Sequence, residues 1–544
     1  MTSTPPPDAA PGPYAVPPVG GQPPPAPGGS TAVAPRPWLW PEVPGVVAPV
    51  AGPPLPPLAD VPSPQGPVPR RLLATALAVG AAAALLLQAP RPGLGVPLVA
   101  LAASGALWAV PGRRPDRATL AIAGLAVALS GVAALRASEW LVALCLVTAA
   151  VLAALVLTRA RTWPALLLAG PAFGLHLARA VPWVGRAVRG APRPAGLGGW
   201  GRGAATGAGV AVVVAGLLAS ADEAYARVFT ALALPDLDGL VRRVVLGVLA
   251  ALAVLTAGAA TTAPTRWRFP RPGRAAGHRA EWALPLVSVA ATLLLWVVVQ
   301  AATLFGQRNP LTTPDGDTYA ARARQGFGQL LVVTLILLAL LTWASRRADE
   351  HGRRLLAVLG GVLVALGLVL VASALQRMWH YDQAYGWTVL RLVVAATELW
   401  LGLVLVGCAV AWLVRRTGLL ARAVPVAAAA GLLVLALAGP DALVAQWNVD
   451  RYERTGRIDV DYLASLSDDA VPAMGRLSGV LRDCVLAQHG PVPVDDPWYG
   501  WNLGRSRAAA VPGVLLGSAA RTVYADGVWA PDGPCGQLPT PEAP

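Results

Sequence analysis

From residue 72 to residue 439 the chain alternates long apolar runs with short connections rich in arginine or acidic residues. The runs are 72–89, 95–110, 118–135, 140–157, 204–221, 244–260, 283–303, 327–344, 355–374, 389–414 and 423–439. A helix rises about 1.5 Å per residue, so a hydrocarbon core of about 30 Å takes about 20 residues to cross. Each run meets or approaches that length. The pattern predicts an all-α polytopic membrane protein with about eleven transmembrane helices. Residues 163–183 are apolar too, but Pro164, Pro171, His176, Arg179 and Pro182 interrupt them. That stretch is expected to form an interfacial or re-entrant helix, with a twelfth span as the alternative.

The two ends read differently. Residues 1–69 are mostly Pro, Ala, Gly and Val with few charges. Proline removes backbone donors and fixes φ, so this tail is expected to be disordered and partly polyproline-II, a spacer or a ligand for a proline-binding module. Residues 440–544 carry 13 acids against 8 arginines. They are expected to form a small C-terminal domain, with short helices between Asp459 and Leu486 and a loop-rich remainder.

Composition sharpens the membrane reading. Hydrophobic residues make up 55% of the 544 and charged residues 13%, and the mean hydropathy is +0.55. Soluble domains carry about 25% charged residues, so lipid must be the solvent for much of this chain. The formal charge of +14 is carried entirely by arginine, and its placement follows the connections. If Arg70 and Arg71 are cytoplasmic, the tail and the even-numbered connections hold 25 arginines and the odd-numbered ones 10. The odd connections hold Glu139, Asp222, Glu223, Asp236, Asp238, Asp315, Asp317 and Asp382. Arginine is retained on the cytoplasmic side during insertion. The expected topology is therefore a multi-pass protein of the plasma membrane with the N-terminus inside and residues 440–544 outside. The positive charge is a topology signal, and no nucleic-acid partner is expected.

Candidate chemistry gathers on the expected outer face. Asp222 follows the fifth run; Arg308, Asp315, Asp317 and Arg322 follow the seventh; Arg377, His380 and Tyr385 follow the ninth, with Arg391 opening the tenth; Asp450 and Arg451 follow the eleventh. Arginine and carboxylate pairs flanked by Tyr and Trp suit an anionic or lipid-headgroup ligand. An aromatic belt with loop-to-loop ion pairs explains the same residues. Glu398 stands apart inside the tenth run, seven residues after Arg391 and on the same helix face. A carboxylate at that depth costs a few kcal/mol in lipid and must face protein, water or a cation. It is read either as a proton or ligand site or as half of a buried packing pair. Cys484 and Cys535 would share an oxidising compartment, where a disulfide is expected. The five histidines lack ligand spacing, Asp315 and Asp317 lack the rest of a calcium loop, and no nucleophile elbow, P-loop or dinucleotide fingerprint is present, so no metal or cofactor is expected. Gly203 and Gly207 fit a small-residue helix contact.

Several of these segments together resemble a bacterial membrane family known only as a domain of unknown function (number 4173, akin to number 4153). The likeness rests on Leu217–Asp222, Tyr319–Leu330, Arg377 through Tyr385 to Leu392, Trp447–Arg451, Asp459–Leu466 and Asp469–Pro472. It covers roughly residues 120–485 and implies a multipass membrane protein without implying a reaction. Three functions fit the sequence: a non-enzymatic envelope sensor, scaffold or partner subunit that meets an envelope protein through residues 440–544; a permease that uses Glu398; and a membrane enzyme acting on a lipid-linked or envelope substrate.

Overall fold

The apolar runs become helices because a helix is the one open-ended structure that satisfies its own backbone polar groups in lipid. The computed structural model describes residues 59–106, 116–190, 237–269, 278–305, 319–349, 351–414, 420–492 and 496–512, with isolated positions between 207 and 222 and at 418. Eight of its helices are long and apolar enough to cross a membrane. They lie within α3 (Arg117–Leu135), α4 (Glu139–Leu157), α7 (Leu237–Thr262), α8 (Arg279–Phe305), α9 (Tyr319–Arg347), α10 (Arg353–Tyr385), α11 (Val389–Leu413) and α12 (Leu420–Ala438). Two further expected spans are shorter: α1 (Arg70–Leu86) has 17 residues and α2 (Gly95–Ala106) has 12. The run 204–221, with Gly203, lies outside the described residues except at isolated positions, as does nearly all of the proline-rich tail.

Hydroxyls within the spans are satisfied locally. Ser130, Thr256, Thr334 and Thr397 each donate to a carbonyl four residues earlier on their own helix. Helix contacts are made through small residues. Gly80 of α1 meets Gly247 of α7 so closely that a Cβ on Gly80 would sit 2.8 Å from the Gly247 carbonyl oxygen. Ala76, Val79 and Val254 continue that core. On α10 and α11 the large side chains of one helix fill glycine gaps in the other, Leu405 against Gly367 and Trp412 against Gly360. Van der Waals contact of this kind drives association where lipid removes the hydrophobic force.

The helices run between two ends of different character. At one end Arg161 and Arg422 act electrostatically on Asp116, which caps α3 by accepting a hydrogen bond from Thr119 N–H. Arg347 pairs with Glu281 there at 3.5 Å, and β1 (Ala59–Asp60) pairs antiparallel with β2 (Arg266–Trp267). The interrupted stretch forms α5 (Trp163–Leu167) and α6 (Ala169–Gly190). Ala165, Ala169, Phe173, His176 and Trp183 make their contacts at this arginine-rich end. Ala165 and Ala169 pack near Trp267, and Phe173 packs near Ala257 and Ala260. His176 Nε2 and Thr265 Oγ1 share a 2.9 Å hydrogen bond, and Trp183 Nε1 donates to the Gly66 carbonyl at 3.0 Å. α6 therefore lies across the ends of α4, α7 and α1.

The opposite end is capped by the residues after Ala438. α13 (Pro440–Thr455), α14 (Val460–Ala464), α15 (Val471–Met474), α16 (Gly479–His489) and α17 (Leu503–Ala509) enclose an apolar core of Val444, Val449, Leu463, Val471, Met474 and Val485. Trp387, Val389 and Leu392 of the α10–α11 corner pack onto that core. The described residues of this C-terminal part thus rest on the helix ends.

Candidate functional site

Two corners of the capped end are held by side chains from the C-terminal residues. The first is the α10–α11 corner. α10 runs 33 residues to Tyr385, and the chain then turns through Gly386, whose φ of +87° suits glycine. A Cβ there would also lie 2.8 Å from Asn448 Oδ1. Asn448 of α13 acts as a backbone surrogate. Its Oδ1 accepts from Trp387 N–H at 3.0 Å, and its Nδ2 donates to the Trp387 carbonyl at 2.8 Å. Val389 N–H, left open at the start of α11, donates to the Tyr462 hydroxyl at 2.7 Å. Arg391 folds back over the corner. Its guanidinium lies 3.5 Å from the buried Asp382, donates to the Gly386 carbonyl and covers the Tyr381 ring at 4.2 Å.

The second corner joins α3 to α4. α4 begins at Glu139, and the carboxylate of the buried Asp469 accepts from the N–H groups of Ala137 at 2.9 Å and Ser138 at 3.3 Å. A residue 331 positions downstream thus caps this helix. Ser138 Oγ donates to Asp441 Oδ2 at 2.8 Å, and Ser467 Oγ donates to the same oxygen. Asp441 Oδ1 is buried without a hydrogen bond. Asn502 donates to the carbonyls of Ala133 at 2.9 Å and Arg136 at 2.7 Å, closing the end of α3. Arg136 in turn donates to the Ala436 and Leu437 carbonyls that end α12. Beside this corner, Arg505 bridges Asp496, Gly500 and the Pro92 carbonyl of the α1–α2 connection.

Burial and neighbouring charge tune two groups here. Burial drives the Asp469 carboxyl up to about 6; the Asp441 charge adds to this, while the Ala137 N–H and Arg136 oppose it. His489 is also buried, which disfavours its charge. Hydrogen bonds to the Asp468 carboxylate and the Ala464 carbonyl outweigh that, and the imidazole lies above its usual range.

The residues singled out in the sequence scatter across this frame. Tyr385, Arg391 and Arg451 gather around Gly386, with Arg451 donating to the Arg457 carbonyl. Asp450 lies on α13 in an ion pair with Arg476 at 2.8 Å. Arg377 sits over the Trp296 ring of α8 at 6.0 Å, and His380 is exposed. Arg322 lies in the first turn of α9, and Asp222 is exposed on an isolated described position. Arg308, Asp315, Asp317 and Cys535 lie outside the described residues, while Cys484 is buried on α16. Cys145 and Cys408 are buried free thiols in the spans. Glu398 is fully buried, and neither of its oxygens has a hydrogen-bond partner. Among the described residues no three His, Cys, Asp or Glu side chains group as metal ligands. Asp441, Asp469, Asn502 and Arg505, all buried, were not singled out as functional groups from sequence.

No curated protein and no solved structure matches the chain. The family model described as a domain of unknown function, DUF4153, matches residues 123–477, from within α3 to the loop after α15. That match covers well over half of the sequence, and the chain, a multi-pass membrane protein by its apolar helices, belongs to this family of unknown function.

Proposed function

We propose that this protein is a non-enzymatic envelope sensor or scaffold whose residues 440–544 lie outside the cell and couple a partner protein to the transmembrane helices. One observation carries the reading: Asn448, Tyr462, Asp469 and Asn502 all satisfy backbone groups at the ends of spans. A force on the C-terminal residues reaches two helix corners through buried hydrogen bonds, so a partner bound outside is sensed at the bundle. The polar groups that a ligand site needs are largely used on the chain itself, Asp450 on Arg476 and Arg391 on Asp382. An enzyme needs acids that converge on one substrate. Asp450, one of the candidate acids, is held in an ion pair with Arg476.

Purification from native membranes tests the reading. The full chain is expected to carry a stoichiometric partner that is lost when residues 440–544 are deleted. Thermal unfolding of the deleted protein shows whether its bundle still folds. A partner-free, monodisperse full-length preparation from those membranes overturns the proposal.

A further inference from the structure

Among the described residues Glu398 is the buried carboxyl group with both oxygens left without a hydrogen bond. Serine and threonine hydroxyls in the spans return to their own helix carbonyls, yet both Glu398 oxygens are buried and unpaired. Its place in the bundle follows from the α10–α11 register. Trp412 packs on Gly360, Leu405 on Gly367, and Gly402 on Val371. The helices are antiparallel, so one turn further towards the capped end brings Glu398 level with the fully buried Ala374. That level belongs to an apolar core containing Leu330, Leu370 and Ala374.

Among the described residues, the arginines nearest to it along α10 and α11 are engaged elsewhere. Arg391, two turns away on α11, is turned outward onto Asp382, Gly386 and Tyr381. Arg377, one turn beyond Ala374 on α10, is turned aside over Trp296. A bare carboxylate in such surroundings costs several kcal/mol, and a single bound cation removes that cost. A metal ion needs several oxygen ligands. A proton needs one. We propose that Glu398 is a proton-binding site inside the bundle, about 13 Å along α11 from its first residue.

An apolar carbodiimide tests this on the full-length protein in lipid nanodiscs. The carboxylic acid adds across the reagent's C=N bond, its proton passing to nitrogen and its oxygen to carbon, and the adduct rearranges to a stable N-acylurea without a leaving group. Peptide mass spectrometry should find the adduct on Glu398 and none there in Glu398→Gln. Labelling should fall roughly tenfold per pH unit once the site begins to empty, and sodium should not change it. An unlabelled Glu398, or labelling independent of pH, overturns the proposal; protection by sodium at constant pH assigns a sodium site instead. Glu398→Asp, which keeps a carboxyl group, should label and so separates loss of the site from loss of the fold.

Discussion

Asn448 and Asp469 do the same work with different chemistry, each supplying a distant helix corner with the partner its own sequence lacks. Asn448→Ala leaves both polar groups of Trp387 without their side-chain partner. Unmet buried groups cost about 1–3 kcal/mol, so this variant should unfold at a lower temperature, and Asn448→Asp should restore only the half that accepts from Trp387 N–H. Asp469 adds a dependence on pH. Its folded carboxyl lies at about 6 against an ordinary 3.8, with burial the main cause. The folded state therefore holds this proton more tightly than the unfolded one. The resulting stability is fully present below about pH 3.8 and is lost as pH rises through about 6. In thermal unfolding the protein should gain up to about 3 kcal/mol from this group between pH 7 and pH 4. Asp469→Asn should flatten that part of the profile; an unchanged slope in the variant refutes the assignment.

At the scale of elements, what the sequence made legible follows the strength of the physical constraint. About twenty apolar residues have one solution in lipid, and α3, α4, α7, α8, α9, α10, α11 and α12 all appear where apolar runs stand. α10 outran its expected end at 374 because Gln376–Tyr385 is polar and reads as a connection. In the fold the helix simply continues past the apolar stretch to Gly386. The corners were illegible for another reason. An Asp at a helix start normally caps its own helix, as Asp116 and Asp459 do, and nothing in the spacing around Asp469 assigns it to α4. A second close approach of small residues was not legible either. Gly203 of the Gly203–Gly207 pair lies outside the described residues, whereas Gly80 and Gly247, 167 positions apart with no spacing to announce them, bring α1 and α7 into close contact. Gly80→Val should wedge α1 from α7 and cost about 1–3 kcal/mol. Thermal unfolding checks it, with Gly105→Val as control because a Cβ at Gly105 meets nothing within 4 Å.

For the whole molecule the two ends differ in charge and in construction, and the proposed function depends on which of them faces the cytoplasm. Arg70 and Arg71 open α1 at the end where α6 lies, and Arg161 and Arg422 act on Asp116 at that end. Corners poorer in arginine meet the C-terminal residues. Retention of arginine on the inner side then sets residues 440–544 outside. Alkaline phosphatase fused after Pro544 should be active and a green fluorescent protein fused there should be dark, with the opposite result for fusions before Met1. The same orientation bears on the cysteines. Outside the cell, Cys484 and Cys535 are expected to be bridged, whereas Cys145 and Cys408 stay buried and reduced. Non-reducing peptide mapping of protein alkylated before extraction should recover a 484–535 linkage. An active phosphatase with both thiols alkylated removes only the bridge. An inactive one places the C-terminal residues in the cytoplasm, where no envelope partner can reach them, and the coupling role then fails even though both buried corners remain.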